Sequence, residues 1–141
     1  MTRPVALITG ARRGIGRAIG IALAKAGYDI AFTDIAEDEA VAEATKLFET
    51  AGAKARFFKH DVAAVASHPG LVAAVRAAFG RLDLFVSNAG IGAPIRGDML
   101  EITEESFDLV MDVNLRGAAF LSQEVARAML TDKPERPAIV F

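Results

Sequence analysis

The sequence contains no cysteine, which excludes disulfides and thiolate metal sites and fits a reducing compartment. Its two histidines, His60 and His68, are too few for a metal cluster. No apolar run approaches the roughly 18 residues of a membrane span. The start, Met1-Thr2-Arg3-Pro4, runs straight into an apolar segment and lacks the long apolar region and small-residue cleavage site of a secretory leader. Nor is there a basic block that could neutralise a row of phosphates. The 16 basic and 18 acidic residues are interspersed and leave a net charge of −2, so nucleic acid is not an expected partner. Taken together, these absences make a cytoplasmic protein without metal or membrane span the starting expectation.

What is present is enough apolar material for a core. Hydrophobic residues make up 52% and charged residues 24% of 141 positions, the balance and length of one globular domain covering residues 1–141. Val5 to Thr9 is a continuous apolar run ended by Gly10, as in a strand buried on both faces. Ile15, Ala18, Ile19, Ala22, Leu23 and Ala26 recur at helical spacing and Gly27 closes that helix. Asp29 to Asp34 reads as a second strand. Glu37 to Thr50, with Val41, Ala44, Leu47 and Phe48 on one face, reads as a second helix. Ala55 to His60 is a third strand, Leu71 to Phe79 a third helix stopped by Gly80, and Leu82 to Ser87 a fourth strand. A loop over Ile91 to Met99, a long helix from about Thr103 to Leu130 and a polar turn follow, and Ala138 to Phe141 begins a fifth strand. Strand–helix alternation with short connections predicts an α/β fold, a doubly wound parallel sheet of Rossmann type whose fifth strand has just begun where the sequence ends.

Between the first strand and first helix lies Thr9-Gly10-Ala11-Arg12-Arg13-Gly14-Ile15-Gly16. Glycines there allow a sharp turn and close approach of a ligand, and the helix that follows points free N–H groups at the loop, which suits a pyrophosphate. A tight turn with no ligand is the plainer alternative. The spacing is Gly-x-x-x-Gly-x-Gly, and no Gly-Lys-Ser/Thr follows, so a P-loop is excluded. Asp34, at the end of the second strand, can accept hydrogen bonds from both adenosine ribose hydroxyls, which favours NAD over NADP. Arg12 and Arg13 read equally well as solvated surface residues.

Thr9-Gly10-x-x-x-Gly14-x-Gly16 together with Asn88-Ala89-Gly90 resembles the short-chain dehydrogenase/reductase family, and the likeness covers the whole chain. The resemblance implies that Gly10, Arg12, Arg13, Gly14, Ile15 and Gly16 cradle the cofactor pyrophosphate. It implies also that Asp34 with Ile35 holds the adenosine ribose, that Asp61-Val62 lies beside the adenine, and that Asn88, Ala89 and Gly90 line the nicotinamide ribose. Basic residues at the place of Arg13 in the family often contact the 2′-phosphate of NADP. Asp112-Val113-Asn114-Leu115 resembles the segment whose asparagine holds a water leading to the catalytic lysine, so Asn114 is the one catalytic residue carried over. A surface aspartate in a loop, for Asp61, and a helix kink or cap, for Asn114, are the simpler alternatives.

The resemblance implies hydride transfer between a nicotinamide and a small-molecule carbonyl or alcohol in a homodimer or homotetramer. Arg96-Gly-Asp-Met-Leu and Asn114-Leu-Arg-Gly most resemble the 3-oxoacyl-acyl-carrier-protein reductase-like branch. The family's catalytic serine and Tyr-x-x-x-Lys are expected beyond Phe141. Tyr28, the only tyrosine, has Phe32 four residues on and does not match that motif. A dinucleotide-binding module without turnover and an interaction module built on the fifth strand and long helix are the readings from other classes.

Overall fold

The computed structural model describes residues 2–141. Five parallel strands, β1 (Val5–Thr9), β2 (Asp29–Asp34), β3 (Ala55–Lys59), β4 (Leu84–Val86) and β5 (Ala138–Val140), form one sheet in the order β3-β2-β1-β4-β5. Helices α1 (Gly14–Lys25), α2 (Glu39–Thr50), α3 (His68–Phe79), α4 (Glu104–Met111) and α5 (Ala118–Asp132) connect them. This is the doubly wound Rossmann-type sheet that the alternation predicts. Both faces of β1 are covered. Ala6 and Ile8 pack with Ile30, Phe32, Ala44 and Phe48 under α1 and α2, while Val5 and Leu7 pack with Leu71, Val75, Leu121 and Val125 under α3 and α5. Period-two alternation in a strand buried on both sides therefore feeds two separate hydrophobic layers.

Several boundaries differ from the sequence expectation. The second helix starts at Glu39 because the Asp38 carboxylate accepts the Ala40 N–H at 3.0 Å and caps it. The third starts at His68, with Pro69 tolerated in its first turn, where no intrahelical N–H bond is lost. β3 ends at Lys59, and β4 is confined to Leu84–Val86. The packing face of α1 is rotated from the one predicted: Ile15 is 75% exposed, and the buried positions are Gly16, Gly20 and Ala24. The helix lies too close to its neighbours for larger residues there, since a Cβ on Gly20 would stand 2.4 Å from the Phe48 ring.

The expected long helix is present from Glu104 to Asp132, but it is not uniform. Between α4 and α5 the chain widens into a π-turn over Asp112–Gly117, a device that re-aims side chains. A Cβ on Gly117 would stand 2.3 Å from the Val62 carbonyl oxygen, so the turn docks against the segment after β3. α5 then buries Leu121, Val125, Ala128 and Met129.

Candidate functional site

The sheet order sets the site. The chain leaves β1 toward β2 and β3, then crosses back to place β4 on the other side of β1. Such a reversal opens a crevice at the carboxyl ends of the strands. The glycine loop follows β1, Asp34 closes β2, Asp61 and Val62 follow β3, and Asn88-Ala89-Gly90 follows β4. At about 4.8 Å per strand, these groups line up over roughly 14 Å along one edge of the sheet.

Gly10 and Gly14 have φ of 66° and 61°, in the left-handed region that admits glycine. A Cβ on Gly14 would meet nothing within 4 Å, so the loop is open above that residue. Arg13, at the head of α1, gives the helix no side-chain cap, and no acidic residue lies in its first turn. The first helical bond runs from Arg17 N–H to the Arg13 carbonyl. Among the described residues, no acceptor meets the amides of Gly14, Ile15 and Gly16. Open space, three free N–H groups and a positive helix end fit a phosphate ester.

Asn88 joins the loop to β4. Its Nδ2 donates to the carbonyl oxygens of Thr9 (3.0 Å) and Gly10 (3.1 Å). The buried Thr9 hydroxyl oxygen accepts the N–H groups of Asn88 (3.1 Å) and Ala89 (3.0 Å). Ala89 Cα is 3.0 Å from where a Cβ on Gly10 would stand. Gly90 faces the π-turn, where Asn114 accepts the Ile91 N–H and donates to the Ile91 carbonyl, each at 2.8 Å. The π-turn thus holds Asn114 as a clamp on the loop after β4. Asn114 lies within the π-turn, and its side chain is engaged by the Ile91 backbone.

At β2 the structure corrects the expectation for Arg12 and leaves that for Arg13 standing. Arg13 is exposed. Arg12 is drawn in, its side chain 11% exposed, with Nη1 on the Asp38 carboxylate and Nε 3.5 Å from Asp34 Oδ1. The hydrogen bond to Asp38 raises the Arg12 pKa against the opposing effect of burial. Asp34 Oδ1 also accepts the Ile35 N–H at 2.9 Å, and Ile35 itself is 64% exposed beside it. Asp38 was not singled out from sequence; the signal was its place just ahead of the acidic first turn of α2.

Past β3, Asp61 is exposed and its Oδ1 accepts the Ala63 N–H at 2.9 Å. Val62 is buried, and its carbonyl accepts from His68 Nε2 at 2.9 Å. The rings of His60 and His68 lie 5.2 Å apart, with His60 Nε2 and His68 Nδ1 buried and unpartnered. Burial, followed by the neighbouring His68, pushes the His60 pKa down. Tyr28 is elsewhere. It lines a cleft of about 810 Å³ with Pro4, Arg81 and Asp83, at the amino ends of the strands. The five residues of β1 put about 16 Å between that cleft and the glycine loop.

Fold and site together define a doubly wound α/β protein with a glycine-lined crevice at its switch point. The family model described as short chain dehydrogenase matches residues 4–141, and the chain belongs to that family. It is 36% identical over 126 residues to 2-dehydro-3-deoxy-D-gluconate 5-dehydrogenase of Dickeya dadantii, covering 89% of this chain and 48% of that protein. Galactitol 2-dehydrogenase of Agrobacterium fabrum is 39% identical over 132 residues, covering 92% and 48%. The chain thus spans about half the length of the curated relatives it matches. The solved structure of a 3-oxoacyl-[acyl-carrier protein] reductase from Brucella melitensis in complex with NAD superposes with a TM-score of 0.87 at 52% identity, covering 95% of this chain and 52% of that one. An NAD+-bound xylitol dehydrogenase gives 0.88 at 30% identity, covering 98% and 52%.

Proposed function

We propose that this chain holds a nicotinamide dinucleotide, NAD before NADP, and forms the cofactor-binding half of an oxidoreductase that moves hydride between the nicotinamide and a carbonyl or alcohol. The observation that carries the reading is the open, amide-lined space over Gly14 at the uncapped end of α1. Gly10, Gly14, Ile15 and Gly16 would hold the pyrophosphate. Asp34 with Ile35 would hold the adenosine ribose, Asp61 and Val62 the adenine side, and Asn88, Ala89 and Gly90 the nicotinamide ribose. The cofactor supplies the hydride chemistry when bound, while the protein binds, orients and shields it. Asn114 serves the catalytic end by fixing the loop at Ile91. Identity to the Brucella melitensis enzyme makes 3-oxoacyl thioesters the first substrate class to try.

NAD is favoured because Asp34 keeps its Oδ2 without a partner among the described residues, free for ribose hydroxyls. Isothermal titration with NAD and NADP tests this. Asp34→Ala should lose the charge-assisted bonds, worth about 1.5–3 kcal/mol, and narrow or invert the preference. More than tenfold tighter NADP binding by the unaltered protein overturns the order, and binding of neither dinucleotide overturns the function. The exposed Phe107, Leu115 and Phe120 offer the face on which a homodimer or homotetramer would assemble. The proposed location is the cytoplasm; no helix among the described residues is long and apolar enough to cross a membrane.

A further inference from the structure

The glycine loop carries two arginines, and only one faces solvent. Arg12 lies inward, its Nη1 on Asp38 and its Nε shielded from water without a hydrogen bond, 3.5 Å from Asp34. Asp38 uses both oxygens: Oδ1 accepts the Ala40 N–H and caps α2, and Oδ2 receives Arg12. Arg17 fastens the same seam, with Nε on the Arg12 carbonyl at 3.0 Å and Nη1 3.2 Å from Glu43. A guanidinium between the glycine loop and the end of β2 is placed to receive a phosphate on the adenosine 2′ oxygen. The bond to Asp38 occupies its Nη1 and offsets its charge with that carboxylate.

We propose that Asp38 is a specificity-determining residue of the dinucleotide site, excluding a 2′-phosphate by sequestering Arg12; this rests on the dinucleotide reading above. A phosphate monoester entering the corner brings about −1.5 to −2 charges. It would face Asp34 and Asp38, with Glu37, Glu39 and Asp61 in the flanking segments, while among the described residues the exposed Arg13 and Lys59, the latter the register partner of Asp34, carry no ion pair. A ribose with free hydroxyls meets no such cost, and Asp34 Oδ2 is there to accept from it. Asp38 therefore reinforces Asp34 from the far side of the guanidinium, acting through Arg12 without needing to touch the cofactor.

The test is Asp38→Asn. Asparagine caps a helix as well as aspartate does, so α2 keeps its cap while Arg12 loses the nearer of its two carboxylate partners. By titration with NAD and NADP, the ratio of NADP to NAD affinity should rise about tenfold, the order that one charge-assisted hydrogen bond gives. Adding Arg12→Ala should remove that gain. Asp38→Ser, which also keeps a capping oxygen without charge, should reproduce it and serves if the asparagine variant does not fold. An unchanged ratio in a folded variant, or a gain that survives loss of Arg12, overturns the proposal. If the unaltered protein binds neither dinucleotide, the reading of the site fails first. If it binds NAD and the ratio does not move, only the role of Asp38 fails.

Discussion

Asn88 Nδ2 stands 2.6 Å from the point that a Cβ on Gly16 would occupy, and the Gly10 carbonyl oxygen is closer still at 2.4 Å. Position 16 therefore admits no side chain while the loop keeps its path between β1 and β4. Gly16→Val should cost about 1–3 kcal/mol by overpacking and abolish dinucleotide binding. Gly14→Ala separates packing from ligand space. Its Cβ meets no protein atom, so stability should fall only by the roughly 1–2 kcal/mol of a left-handed backbone, while NAD affinity falls more than tenfold. Urea denaturation and calorimetric titration measure the two effects. Undiminished affinity in a folded Gly14→Ala protein would empty that space of its proposed occupant.

Asn114 and Ile91 predict a local effect. Asn114→Ala removes both bonds to the Ile91 backbone at an exposed site, costing about 1 kcal/mol. Hydrogen exchange at the Ile91 amide should accelerate, with little change in the strands. Unaltered protection at Ile91 would mean that the loop is held by something else.

The buried imidazole pair predicts a pH dependence. His60 has its pKa lowered from 6.5, first by burial. Below 6.5 the unfolded chain takes up a proton that the folded chain refuses, so stability present above 6.5 is lost as pH falls toward the lower, folded value. The slope from this one group is at most about 1.4 kcal/mol per pH unit. His68 and Asp61 are the titratable groups that act on it. Denaturation between pH 7 and 5 should show the decline, and His60→Phe should flatten it. Equal slopes for the two proteins would remove His60 as the cause.

A polypeptide confined to these 141 residues should bind dinucleotide without turning over carbonyl substrates. A positioned general acid supplies about 10²–10⁴-fold, and Tyr28 stands at the wrong end of the sheet to be one. NADH oxidation followed at 340 nm against β-keto and simple carbonyl substrates checks this, with mass confirming the chain. Turnover that survives repurification and disappears in Asn114→Ala would reveal a different acid.

The legible parts were those written in short range. The run from Val5 to Thr9, the glycines after it, and helix ends such as Gly80 at φ 79° depend on neighbours a few positions away, and sequence periodicity carried them. The positions of Asp34 at the end of β2 and Asn88 after β4 followed from motif and element order. The engagement of Arg12 did not, because its carboxylate partners lie 22 and 26 positions on and only the parallel pairing of β1 with β2 brings them together. The π-turn was equally hidden. Apolar spacing runs on across Asp112–Gly117, and the widening accompanies the close approach of Gly117 to Val62, a contact without a local signature. The α1 face was only partly anticipated for a related reason: helical spacing found Ile19 and Leu23, which do pack on the core, but not the small residues Gly16, Gly20 and Ala24 through which the helix makes its closest approach.

The central place of β1 also sets a timetable for synthesis. One edge of β1 can pair with β2 almost as soon as α1 has formed, but the other waits for β4, and the bond from Val5 N–H to the Asp83 carboxylate spans 78 positions. At about 5–20 residues per second that interval is roughly 4–16 s. Throughout it the nascent chain carries an apolar strand with one row of amides and carbonyls unpaired, the state most open to pairing with a foreign strand. Contacts of such long separation also slow folding in free solution. The crevice that opens where the sheet reverses direction thus carries a kinetic debt, which falls due before the site exists.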